Sequence, residues 1–442
     1  MKIVLVTPVN AESAIGRSSC LVADAFVRAG HDVTVVAAEH AEFLSRPRHP
    51  FAAPILDWNA FELVVGLMEQ ADVIYYQIGN YFLFHQGCLH WLERVPGIVI
   101  FHDAYLVDLF RGWAWGEGKE SQIREILYRL YGEETAEWFQ ANRDVENFYQ
   151  QAYIRTPMTE WIAEKALAAV THSDWPASRL LAACPGPVAS LALPYGGSSV
   201  PLYTDMPVVR NSAFQLTSIG YVNPNRRIPQ ILEALAKCDI PKNKLCYTLA
   251  GPIEPSRRDM LEKLAEEKGI RLECTGYISD ERMQAVIAAS DVICSLRYPA
   301  LETASASCIE AMLHGKAVIV TRTGFYAELP KDCVMQIDPD NEAEELICAL
   351  NKLYADASLR RQIGLKARRF AEDTFSHAEP YVQGLVRVAK YVAACRPVVD
   401  AVKTLHGVLG KWGHPELMKS SFIVDPLNIF EQEALSQMEQ PQ

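Results

Sequence analysis

The stretch LETASASCIEAMLHGKAVIVT, residues 301–321, sets two carboxylates, Glu302 and Glu310, on either side of a run of small and hydroxylated residues. Small side chains at a helix start leave its first N–H groups open, and serine or threonine hydroxyls add donors, so a pyrophosphate would be well held there. If the whole stretch were helical, the carboxylates would stand about 12 Å apart along the axis. One would then accept from hydroxyls of a transferred group and the other from those of a ribose. A capping box, Ser307-x-x-Glu310, accounts for part of this pattern without any ligand. It does not account for Glu302.

Other chemistry-bearing residues cluster where apolar runs end. In GYVNPNRRIPQ, Gly220 closes such a run and Arg226 and Arg227 follow. Guanidinium groups are permanently charged and bind phosphate bidentately, so two of them here form a natural diphosphate anchor in an acidic chain. In GIVIFHDAY, His102 ends a run; its ring suits a sugar hydroxyl or a proton transfer. Its neighbour Asp103 can instead cap the next helix. In AVTHSDW, Ser173 reads as a helix N-cap and His172 as a lining residue at best. Gly16, before the first helix, would let a phosphate or sugar approach backbone N–H groups, although a loop glycine explains it equally well. Tyr277 and Ile278, after Gly276, would present backbone and a ring to a flat heterocycle. No paired carboxylates of the DxD kind are placed for a metal, so no metal and no cofactor is expected.

These residues need elements to position them. The 442 residues suit two or three domains, and a hydrophobic fraction of 50% supports a real core. The first forty residues read as one βαβ unit: KIVLVT as a strand buried on both faces, RSSCLVADAFVRAG as a helix stopped by Gly30, and HDVTVVAA as the next strand. Further strands are expected at 72–79, 97–103, 166–175 and 187–197, with a helical, aromatic stretch over 105–169 whose rings suit either an acceptor cleft or a helical core. A second series of βα units starts at Phe214. The fold class is therefore α/β, two Rossmann-like doubly wound domains facing a central cleft. The expected domains are 1–205, 206–385 and a helical extension 386–442 with a disordered end, and residues 198–213 read as the linker.

Composition excludes several classes. A net charge of −12 argues against nucleic-acid binding and against broad adsorption on anionic lipid. Eleven scattered cysteines without a CxxC pair argue against a disulfide framework or zinc site and fit a reducing cytoplasm. No apolar run reaches the length of a membrane span. No G-x-G-x-x-G follows the first strand, which argues against a dinucleotide dehydrogenase.

The spacing Glu302-x7-Glu310, followed by AMLHGKAVIVT, resembles the carboxyl-terminal signature of retaining glycosyltransferases with the double-Rossmann (GT-B) fold, family 4. AESAIG, GIVIFHD, AVTHS, LALPYGG and IGYVNPNRR resemble further pieces of that family in the same order, over roughly residues 1–385. The resemblance implies transfer of a sugar, with retained configuration, from a UDP- or GDP-linked donor to a glycan, lipid-linked or small-molecule acceptor. It implies that Arg227, or Arg226 in a one-residue shift, neutralises the leaving diphosphate and that Glu310 holds the ribose. It gives Glu302 and the backbone near Ser305 and Ala306 the sugar and phosphate, Gly16 a donor contact, and His102 a contact to the transferred sugar. Tyr277 and Ile278 would frame the base, and a lipid-linked acceptor would bring the protein to the inner membrane surface. The chain departs from the family at three points: Tyr221 replaces an arginine, Ser305 a glycine and Tyr195 an asparagine. A nucleotide-sugar epimerase and a silent nucleotide-binding partner are the competing readings.

Overall fold

The computed structural model describes residues 1–143, 148–196 and 213–411. The expected linker, apart from Ala213, and the expected disordered end lie outside the described residues. Two compact units emerge. Among the described residues, the first contains those of Met1–His172, Pro176–Leu191 and Glu379–Lys411; the second contains those of Ser173–Trp175 and Ala192–Ala378.

The first unit holds a seven-stranded parallel sheet in the order β3-β2-β1-β4-β5-β6-β7. Its strands are β1 (Lys2–Thr7), β2 (Asp32–Ala37), β3 (Ile55–Asp57), β4 (Val73–Ile78), β5 (Ile98–Phe101), β6 (Ala168–Thr171) and β7 (Val188–Ser190). β1 pairs with β2 from Lys2↔Asp32 to Thr7↔Ala37 and with β4 from Ile3↔Val73 to Val6↔Tyr76. Continuous apolar runs form these strands because both faces of a parallel sheet are covered. Ser13 caps the helix Ala14–Arg28 by accepting from the Gly16 N–H, and Gly30, at φ +82°, follows its end.

The stretch 105–169 is helical as expected, in segments Val107–Gly116, Ile123–Tyr131, Glu133–Asn142, Phe148–Arg155 and Thr159–Ala163. Half of its rings are core: Tyr105, Phe110, Trp113, Phe139, Phe148 and Trp161 are buried, whereas Trp115, Tyr128 and Tyr149 are exposed. The helix Ala378–Lys411 is not a free extension, since its described residues belong to the first unit from Glu379 onward. The Tyr75 hydroxyl donates to the Leu385 carbonyl at 2.9 Å, and Leu385 is fully buried.

The second unit holds a six-stranded parallel sheet in the order β10-β9-β8-β11-β12-β13. Its strands are β8 (Phe214–Ile219), β9 (Leu245–Ala250), β10 (Arg271–Gly276), β11 (Val292–Ser295), β12 (Ala317–Thr321) and β13 (Met335–Ile337). Strand alternation divides its core in two. Val292, Cys294 and Ile319 join one cluster with Leu232, Leu235, Tyr247 and Leu350. Ile293, Val318 and Val320 join the other with Ile309, Met312 and Tyr326. In both sheets the strand order reverses beside the first strand, between β1 and β4 and between β8 and β11. Ligands of open α/β sheets bind at the carboxyl ends of the strands at such a point. Among the described residues no helix is long and apolar enough to cross a membrane.

Replacing Leu385 by alanine removes a buried anchor of the last helix, and it should destabilise the first unit by about 2–5 kcal/mol. Urea denaturation monitored by tryptophan fluorescence, with no loss of stability, would contradict this packing.

Candidate functional site

The carboxyl edge of the second sheet gathers most of the expected residues. Gly220 follows β8 at φ +95°, a conformation that suits glycine. The backbones of Gly220 and Gly251 approach so closely that a Cβ on Gly251 would lie 2.5 Å from the Gly220 oxygen. The Arg226 guanidinium folds back over Gly220 and donates from Nη1 to the Ile219 carbonyl.

The two arginines part company. Arg227 sits in the left-handed region at φ +59° and turns the other way. Its Nε and Nη2 make a bidentate pair with Glu342 at 2.9–3.1 Å. The Glu342 side chain is 8% exposed, so Arg227 holds a buried carboxylate within the fold. Arg226 instead faces Arg297 and Glu302. Burial, and then the like charge of Arg297, pull its guanidinium down to about 9.

Arg297 and Tyr326 are the residues sequence reasoning missed. Arg297 stands two residues beyond β11 and is 4% exposed. Its Nε donates to Glu302 Oε1 at 3.1 Å, and the Tyr326 hydroxyl donates to the same oxygen at 2.6 Å. Burial opposes ionisation of Glu302, yet the Arg297 charge and the Tyr326 hydroxyl outweigh it and hold the carboxyl below its ordinary range. Arg297 was legible as a basic residue closing the apolar run DVICSLR, the same signal that singled out Arg226.

The helix of the opening stretch begins later than a fully helical reading requires. It spans Ala306–Leu313, and Ser305 is its N-cap, accepting from the Cys308 N–H at 3.4 Å. The capping box built on Ser307 and Glu310 is therefore not the cap used. Glu310 lies one turn into the helix, half-buried, and Ala306 is its first residue. The Thr303 carbonyl accepts from the Ser173 hydroxyl. Tyr277 is 76% exposed after β10, with Ile278 half-buried beside it. Tyr221 points away, its hydroxyl 3.1 Å from Glu254.

Several buried polar atoms on these loops have no hydrogen-bond partner among the described residues: Arg226 Nε, Asn223 Oδ1, Asn225 Oδ1, Ser295 Oγ and Thr323 Oγ1. Unpaired buried polar atoms are uncommon in folded proteins, and these five retain hydrogen-bonding capacity on or beside the loops that carry Arg226 and Arg297. Among the described residues no cluster of His, Cys, Asp or Glu could hold a metal.

In the first unit, Gly16 lies inside the first helical turn, buried, with its N–H already given to Ser13. A Cβ there would meet the Pro8 oxygen at 2.9 Å, so the glycine is needed for packing. His102 follows β5 and joins a buried chain. The Leu191 carbonyl lies 3.1 Å from His172 Nδ1, which must therefore carry the proton. His172 Nε2 then accepts from His102 Nδ1 at 3.3 Å. His102 Nε2 faces the Gln77 side-chain oxygen at 2.6 Å. With both rings neutral, that contact is satisfied when the Gln77 amide turns its NH2 toward the ring. Burial drives both histidines down, His172 to about 4. His85, buried nearby in sequence, is pushed to about 3 and accepts from the Gly79 N–H.

The class is now defined: an α/β protein with two Rossmann-like units and an anion-suited edge on the second. Solved structures with the double-Rossmann GT-B fold resemble it over most of their length. A glycosyltransferase from Rickettsia africae matches at TM-score 0.60 and 14% identity, covering 89% of this chain and 98% of that one. Sucrose-phosphate synthase from Thermosynechococcus elongatus matches at TM-score 0.58 and 16% identity, covering 89% and 100%. HepE of Anabaena, solved in complex with UDP-glucose, matches at TM-score 0.56 and 16% identity, covering 87% and 99%. At these identities the likeness shows the fold. No curated protein sequence matches the chain. Residues 208–370 match the family model for glycosyl transferases group 1.

Two predictions follow from the geometry. Arg227→Ala strands the buried Glu342 carboxylate and should cost about 3 kcal/mol, whereas Arg227→Met with Glu342→Leu should recover most of it. Denaturant titration of the three proteins checks this, and an unchanged midpoint for Arg227→Ala would refute it. The buried histidines have folded-state pKa values below the ordinary 6.5, so the unfolded chain binds more protons as pH falls. Their contribution to stability is complete above about pH 6.5 and is lost progressively toward pH 4, at up to about 1.4 kcal/mol per pH unit for each histidine. Stability measured across this window should fall less steeply for His172→Phe than for the unsubstituted protein.

Proposed function

We propose that this protein is a glycosyltransferase that moves a sugar from a UDP- or GDP-linked donor to a glycan, lipid-linked or small-molecule acceptor, with retention of anomeric configuration and without a metal. The observation that carries the reading is the buried set Arg226, Arg297 and Glu302 beside the N-terminus of the helix Ala306–Leu313. It lies within the region that matches the group 1 family. The complex of the Anabaena relative with UDP-glucose supports a nucleotide-sugar donor.

In this reading the diphosphate sits on the second unit. The guanidinium groups and the open N–H groups at Ser305 and Ala306 stabilise negative charge as the leaving group departs. Glu302 receives sugar hydroxyls and Glu310 those of the ribose. Tyr277 and Ile278 border the base, and Gly220 lets the donor come close to backbone. The acceptor oxygen bonds to the anomeric carbon as the bond from that carbon to the phosphate oxygen breaks. The acceptor proton passes to the departing phosphate oxygen on the same face, so no protein nucleophile is required. The first unit supplies the acceptor side. His102 is built into its wall, since both ring nitrogens are engaged there. Its contribution is therefore to shape the site. Membrane-surface location would follow only for a lipid-linked acceptor.

A panel of UDP-, GDP-, ADP- and dTDP-sugars followed by thermal shift tests the donor assignment. A ligand bound only by the folded state must raise the melting temperature, by about 2.7 kcal/mol of stabilisation at a hundredfold excess over Kd. One base should give a shift that is lost in Arg226→Ala, and turnover should persist in EDTA. Activity abolished by EDTA and restored by a divalent cation would overturn the metal-free scheme. An altered free nucleotide sugar formed without acceptor would instead indicate an epimerase.

A further inference from the structure

We infer that Arg297 is the second cation of the diphosphate seat, in the role the family likeness assigns to Arg227. The inference rests on reading the second unit as a nucleotide-diphosphate-sugar site. Three observations point to it.

The first is position. β8 and β11 are neighbours, paired at Leu216↔Val292 and Thr217↔Ile293. Arg226 follows β8 and Arg297 follows β11, so the two guanidinium groups flank the point where strand order reverses. Tyr221, which stands where the family has an arginine, is turned toward Glu254 and brings no positive charge. Arg297 restores that charge from the adjacent strand.

The second is charge. Arg226 and Arg297 oppose each other as like charges, and Glu302 is the carboxylate that acts on both. Two guanidinium groups against one carboxylate leave one positive charge in a buried place. Burial of unbalanced charge is unfavourable without a partner. The helix beginning at Ala306 adds the partial positive charge of its N-terminus. An anion carrying more than one negative charge completes this arrangement, and a diphosphate does so with oxygens on both sides.

The third is hydrogen-bonding capacity. Arg297 gives Nε to Glu302 and Nη1 to the Leu296 carbonyl, which leaves its Nη2 edge for a ligand oxygen. Arg226 Nε is buried without a partner among the described residues. Arg227, by contrast, has its Nε and Nη2 on buried Glu342 and would have to abandon that carboxylate to reach an anion.

The test uses the full-length protein with pyrophosphate, UDP and GDP as probes, read by isothermal titration calorimetry. Arg297→Met should weaken pyrophosphate and the preferred nucleotide by at least about tenfold, the worth of one charge-assisted contact. Arg297→Lys keeps a charge beside Glu302, guards against simple misfolding of the methionine variant, and should weaken both ligands by a smaller factor. Arg227→Met should lower the melting temperature yet leave affinity within about threefold. Unchanged affinity in the folded Arg297 variants, with loss in Arg227→Met, would overturn the inference and leave the donor site standing. No binding of any of the three probes by the unsubstituted protein would overturn the donor site and the inference together.

Discussion

Electrostatic balance at the carboxyl edge of the second sheet is the constraint on which the site depends. Arg226 and Arg297 are brought together by neighbouring strands, and Glu302 moderates their repulsion. Tyr326 adds a hydroxyl donor to the same carboxylate oxygen. The cluster is fixed by packing, because Tyr326 and Ile309 belong to the hydrophobic layer under the edge. Preorganised charge of this kind needs no rearrangement when an anion arrives. The glycines serve the same end, since Gly220 and Gly251 allow two backbones to pass where a side chain would collide.

Arg227 shows how local backbone conformation redistributes function between adjacent residues. A non-glycine residue at φ +59° carries a conformational cost, which the bidentate pair with Glu342 offsets. The pair ties the loop after β8 to the helix Glu342–Ala355. That tie leaves the neighbouring Arg226 directed at the edge of the sheet. One arginine thus holds the loop and the other lies at the sheet edge with Arg297 and Glu302.

The first unit is built on a different device, a line of buried neutral groups. Gln77, His102, His172 and the Leu191 carbonyl form one hydrogen-bonded chain linking β4, β5, β6 and the chain beyond β7. Each proton position in the chain fixes the next, so the rings are held in single tautomers. Asn80 makes a similar bridge, its side-chain oxygen accepting from the N–H groups of Asp108 and Leu109 at the start of a helix.

Much of this was legible in the sequence, and the reason is periodicity. Runs such as KIVLVT and KAVIVT can be buried on both faces only as inner strands, so the βα alternation and the two Rossmann-like units follow from residue type and order. The small residues at Ser305 and Ala306, and the glycine and arginines after β8, lay at strand ends where a site belongs. Two short strands, Ile55–Asp57 and Met335–Ile337, were missed because three residues carry too little pattern against their loops. The tertiary structure decided the rest: which arginine faces the site, that Arg297 joins Glu302, that Ser305 caps the helix, and that His102 is bonded on both nitrogens. Each of these depends on a backbone angle or on a contact between strands far apart in the chain. Hydrophobic pattern records which residues are buried, whereas the direction of a buried charge is set by the partners that folding brings to it.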